Sequence, residues 1–238
     1  MNTGSIEEQI KYFLLRRDYR TLVYLSEEDK RVWRLLQSNL YQADENLQWH
    51  AIEAIAIFMR KWWDSGHQER VLDYMRRLIW SINDESGGIG WSTPQTIAEI
   101  VVTIPQLGEP FVNIMINRAF KEPALIKSGL WAVGRLGQRI RQSVEQFQGL
   151  ILTSFTTDDT ETLGLASWAM GEARLESALP YLKVLKNRKE SIRIYVASHF
   201  TEKPLGSWAR VAITKIGRLV SEGQCIINKM PKDKGNTP

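Results

Sequence analysis

The stretches "LWAVGRLG" (Leu130–Gly137) and "SWAMGEAR" (Ser167–Arg174) superimpose as Trp-Ala-x-Gly, placing Gly134 and Gly171 37 residues apart. Self-similarity at such a spacing marks a chain built from repeated supersecondary units. Weaker copies occur at "EAIAIFM", with Ala56 in the glycine's place, at "TIAEIVV" with Ala98, and at "VAITKIG" with Thr214. The period is about 40 residues, the length of a two-helix repeat.

The first four anchor segments each lead through a short polar or glycine-containing turn into a second amphipathic stretch. These are "HQERVLDYMRRLIWSI" (His67–Ile82), "GEPFVNIMINRAF" (Gly108–Phe120), "SVEQFQGLILTSF" (Ser143–Phe155) and "ESALPYLKVLKNR" (Glu176–Arg188). Upstream, "IEEQIKYFLLRRD" (Ile6–Asp18) aligns Ile6, Ile10, Phe13 and Leu14 on one helical face, and "EEDKRVWRLLQSNLY" (Glu27–Tyr41) does the same with Val32, Leu35, Leu36 and Leu40. Helical spacing dominates, and period-two strand signals are nearly absent. Small residues at the anchors let neighbouring helices approach closely, which offsets the roughly 1 kcal/mol that a glycine costs inside a helix.

With 43% apolar and 24% charged residues among 238, the chain can bury a core. A net charge of +4, with basic residues interspersed among acidic ones, is too mild to announce a nucleic-acid binder. The longest wholly apolar run, "AIAIFM" (Ala54–Met59), is far short of the ~20 residues that span a bilayer. The N-terminus carries Glu7 and Glu8 where a secretory signal needs basic residues, so a cytoplasmic protein without membrane contact is expected. Cys225 is the only cysteine, which rules out an internal disulfide and a cysteine-based zinc site.

The segments "GLWAVGRLG", "GLASWAMGEARLESALPYLKVL" and "WHAIEAIAIF" together resemble HEAT repeats of the phycobilin-lyase type, over roughly Gln48 to Leu219. The chain is also similar to a group of uncharacterised bacterial HEAT-repeat proteins that carry an "NDESGGIGW" loop. The resemblance implies an all-α fold: an α-solenoid of about five HEAT-like helical pairs with an N-terminal capping pair. Residues 1–222 then form a single repeat domain (cap 1–45, repeats 46–222), and 223–238 form a flexible tail.

Repeat motifs specify architecture and say little about activity, so function must be read from particular residues. The connection "WSINDESGGIGW" (Trp80–Trp91) is longer than stacking two helices demands. Ser92 and Gln95, with Pro94 between them, resemble a capping box that starts the next helix at Ser92 or Thr93. The adjacent carboxylates Asp84 and Glu85 oppose a phosphate site despite the glycines, and suit a partner's Arg, Lys or free N–H groups. Asn83, Asp84, Glu85, Ser86, Gly87, Gly88 and Trp91 are therefore the candidate partner-binding residues. The competing structural reading makes the segment a capped turn with both tryptophans in the core. Trp63, Arg76, Arg77 and Arg118 are candidates for lining a groove.

The chain has nine Trp, two of them adjacent in "KWWDSGH" (Lys61–His67), and on a helix only one of Trp62 and Trp63 faces the core easily. That stretch resembles part of the HEAT-like alkylpurine DNA glycosylases, although His67 stands where that family has an acid. His50, His67 and His199 are the only histidines, each expected to be capping or exposed, and His50 with Glu53 supplies at most two metal ligands. No catalytic residue, metal or cofactor is assigned. Glu99, Arg135 and Glu172 each follow an anchor position and form an alternating row expected to pair between repeats. The expected function is a non-catalytic intracellular scaffold for a protein or peptide, with nucleic acid less favoured. The alternatives are a base-excision glycosylase and a lyase or chaperone handling a tetrapyrrole-like cofactor.

Overall fold

The computed structural model describes residues 4–82 and 90–227, with side chains described through residue 218. The described chain is mostly helical. It divides after Leu136 into two compact units.

The first unit opens with three helices, α1 (Ile6–Leu15), α2 (Tyr19–Glu28) and α3 (Arg31–Ser38), where the sequence pattern suggested a pair. The local signals are clear for two of them. Ser5 and Glu8 close a reciprocal capping box on α1, and the Asp18 side chain accepts the Thr21 N–H at the start of α2. Only Leu22 of α2 is fully buried, so its amphipathic signal is thin. Arg17, with φ of 55°, turns the chain between α1 and α2.

Asp44 caps α4 (Glu45–Asp64), a 20-residue helix of about 30 Å that buries Leu47, Ala51, Ile55, Phe58 and Met59 among others. It is followed by α5 (Gln68–Ser81), α6 (Thr93–Thr103), α7 (Gly108–Ala119) and α8 (Ile126–Leu136). The anchor helices α4, α6 and α8 pack in sequence order, α6 touching both neighbours, while α5 and α7 pack against each other. Helix α6 is central: Ile97, Ala98, Ile100 and Val101 are buried on several faces, as expected of a helix enclosed on all sides. Helix α6 begins at Thr93 as the sequence indicates, yet Ser92 makes no side-chain capping bond, so the capping box is not formed.

In the second unit, "SVEQFQGLILTSF" is not one helix. It forms α9 (Arg141–Gln146) and α10 (Gln148–Ile151), interrupted at Phe147 and followed by a 3-10 turn. Next come α11 (Thr160–Ala173), α12 (Leu179–Leu185), a hairpin of β1 (Ser191–Val196) and β2 (His199–Pro204), and α13 (Leu205–Ile227). The hairpin corrects the expectation of a chain without strands. Its strands pair antiparallel from Ser191↔Pro204 to Val196↔His199 around Ala197 and Ser198, both at positive φ. That turn geometry usually recruits Asn-Gly or Asp-Gly, so its sequence signal was absent. Ile192 and Ile194 are buried, and β1 packs on α11 where Gly164 leaves room: a Cβ there would lie 2.5 Å from Ile192 Cγ2. Helix α13 continues to Ile227, past the expected tail boundary at residue 223.

The row of charges after the anchors pairs across helices. Arg135 donates from Nε and Nη2 to the two carboxylate oxygens of buried Glu99, at 2.6 and 3.0 Å, across 36 residues. Glu172 receives Lys215 at 2.5 Å across 43 residues, together with the Trp168 indole N–H at 3.0 Å. These are the spacings from Ala98 to Gly134 and from Gly171 to Thr214. Lys215 follows Thr214 in the sequence as Glu172 follows Gly171.

Candidate functional site

At one end of α5 and α6 two tryptophans stand in solvent. Trp80 is 76% exposed and Trp91 is 61% exposed, which overturns the reading that places both in the core. Their flanks are fastened together: Ser81 Oγ donates to Leu78 O at 2.8 Å and lies 3.1 Å from Thr93 Oγ1, leaving Thr93 to donate across. The Thr93 N–H also closes a turn onto Gly90 O at 2.9 Å. The candidate residues between these flanks, Asn83, Asp84, Glu85, Ser86, Gly87 and Gly88, lie outside the described residues.

The expected groove residues lie on three helices, α4, α5 and α7. Trp63 is half-buried at the end of α4. Arg76 pairs with Asp73 at 2.6 Å and with Glu69 at 3.7 Å on its own helix. Arg77 and Arg118 are exposed, on α5 and α7.

A cavity of about 500 Å³ instead opens at the other end of α5, in the range of small-molecule pockets. Helix α2 contributes Ser26 and Glu27, α3 contributes Trp33, and α4 contributes Phe58, Lys61 and Trp62; Lys30, Ser65, His67 and Arg70 complete the lining. Trp33 is the hub of its wall, with ring centroids 4.7 Å from Trp62, 5.7 Å from Phe58 and 5.3 Å from Tyr74. Burial pushes the Tyr74 hydroxyl well above its ordinary pKa. Arg70 lies over the Trp62 ring at 3.6 Å, and Lys61 pairs with Glu27. Sequence reasoning singled out the adjacent tryptophans but passed over Trp33. Its pairing depends on how α3 docks on α4, which no local pattern carries. His67, where the glycosylase resemblance wants an acid, is the exposed N-cap residue of α5.

A third polar cluster lies where the turn after α1 meets α4. Arg17 Nε donates to His50 Nε2 at 3.1 Å, and the Tyr19 hydroxyl donates to Glu53 Oε2 at 2.5 Å. His50 is buried, correcting the expectation of a capping or exposed histidine. Guanidinium only donates, so this bond requires the neutral imidazole. Burial, then the charge of Arg17, depresses the His50 pKa, against weaker opposing pulls from Glu53 and Asp44. The unfolded chain therefore binds this proton more readily. Stability is fully present above the unfolded value of about 6.5 and falls as pH drops below it, until the depressed folded value is passed. Urea melts should show a decline as the pH is lowered below about 6.5, of no more than about 1.4 kcal/mol per pH unit, absent in His50→Gln. An equal decline in that variant would refute the assignment.

Among the described residues no group of three or more His, Cys, Asp or Glu is placed to hold a metal ion, and no helix is long and apolar enough to cross a membrane. Compared with known proteins, the chain matches no family model and no curated protein.

Proposed function

We propose that this chain is a non-catalytic binding protein, a HEAT-like array of helical pairs whose Trp80–Trp91 edge takes a basic segment of a protein or peptide partner. The observation that carries the reading is the exposure of two large indoles on flanks that Ser81 and Thr93 hold together. Tryptophan is enriched among residues that dominate binding energies, and its face attracts Arg and Lys side chains. Asp84 and Glu85 lie between the two in sequence and add complementary charge. The solenoid arrangement is supported by the anchor helices α4, α6 and α8 packing in order, and by ion pairs that recur at the repeat spacing.

The test is selection of short peptides from a displayed library against the full chain, followed by affinity measurement on variants. The selected sequences should be rich in Arg and Lys, and Trp80→Ala and Trp91→Ala should each weaken binding about tenfold or more with the fold intact. Recovery of acidic or wholly apolar peptides, or undiminished affinity in the double variant, would defeat the proposal.

A further inference from the structure

We propose that the cavity between α2, α3, α4 and the start of α5 is a binding site for a phosphate monoester carried on a flat ring. It is separate from the Trp80–Trp91 edge, and nothing in the peptide-binding reading requires it.

The charge of the lining argues for an anion. Among the described residues Lys30 makes no hydrogen bond or ion pair, and Arg70 has no carboxylate partner, only the Trp62 face beneath it. Glu27, the one acidic group of the lining, is already engaged by Lys61. Two cations thus remain without a carboxylate partner, which matches a phosphate monoester of charge about −1.5 to −2 better than a single carboxylate. Partial burial, and then the nearby Arg77, pull the Arg70 pKa below its ordinary value, as expected of a cation that an anion would relieve.

Two further features point the same way. The N-terminus of α5 opens at this cavity: its N-cap His67 and Arg70 in its first turn both line it, and no side chain caps it. Free N–H groups there favour an anion alongside the cations. The lining also carries an aromatic wall, half-buried Trp33 beside buried Phe58, of the kind that packs against a planar ring. A cavity of about 500 Å³ admits a ring, a short linker and a phosphate together.

Calorimetric titration of the full chain decides the matter, with phenyl phosphate and adenosine 5′-monophosphate as two sources of the same chemistry. Saturable binding of either ester supports the site, provided that phenol or adenosine binds at least about tenfold more weakly. Lys30→Ala should weaken the ester at least about fivefold, and Arg70→Gln should do the same. Lys30 is exposed, so its removal leaves the fold intact even if Arg70→Gln loosens Trp62. The Trp80→Ala/Trp91→Ala double variant should bind the esters unchanged, which keeps this outcome distinct from that of the peptide experiment. No saturable binding of either ester, equal binding of the phosphate-free compounds, or undiminished binding by Lys30→Ala would overturn the proposal.

Discussion

Replacing Gly171 with valine should destabilise the second unit by about 3 kcal/mol or more. Gly171 lies on α11 where α13 crosses it, and a Cβ built there falls 2.7 Å from both Cα and Cβ of Ala212. The first of these contacts is backbone, so no rotamer change relieves it and the helices must separate. Separation would open the packed face between α11 and α13 around Ala212, which is buried. Gly171→Ala should cost less, about 1–2 kcal/mol, because only one methyl group must be accommodated. The companion substitution Gly217→Ala, also on α13, meets nothing within 4 Å and should stabilise by about 0.5–1 kcal/mol through helix propensity alone. Urea denaturation of the three variants measures the contrast. A Gly171→Val protein within about 1 kcal/mol of the parent would mean that the small anchor residue is not there for close packing.

Trp131→Ala should cost the first unit about 3–5 kcal/mol. Trp131 is the tryptophan of the Trp-Ala-x-Gly anchor on α8; it is buried, and its ring centroid lies 4.4 Å from that of Trp49 on α4. The pair joins two helices that both pack on α6, so truncation opens a cavity and also removes a direct tie between them. A double-mutant cycle with Trp49→Ala should give a coupling of about 0.5–1.5 kcal/mol. Independent effects would show that the two rings only share a core. The equivalent Trp168 on α11 is also buried, but its indole N–H is held by Glu172. The repeat thus uses the same residue with different partners.

Much of the helical architecture was legible because it rests on periodicity. The anchors on α4, α6, α8 and α11 were readable from small residues at a recurring spacing, as was the pairing of Glu99 with Arg135; on α13 the expected anchor Thr214 is exposed, and Ala212 packs against Gly171 in its place. Lys215 was equally legible at the position after Thr214, and only the weakness of that repeat hid it. What escaped depended on tertiary context. Strand β1 is short, and its buried Ile192 needed Gly164 to receive it. The exposure of Trp80 and Trp91 ran against the general tendency of tryptophan to bury itself. The cavity escaped because only its "KWWDSGH" part is locally distinctive, while Ser26, Glu27, Lys30, Trp33 and Arg70 reach it through the docking of α2, α3 and α5.

Hydrogen–deuterium exchange of the full chain, with and without the tightest peptide from the library selection, tests the central claim of partner binding at the Trp80–Trp91 edge. Added protection should concentrate in the segments around Leu78–Ile82 and Gly90–Thr96, at the end of α5 and the start of α6. Protection confined to other segments, with those two unchanged, would contradict the claim.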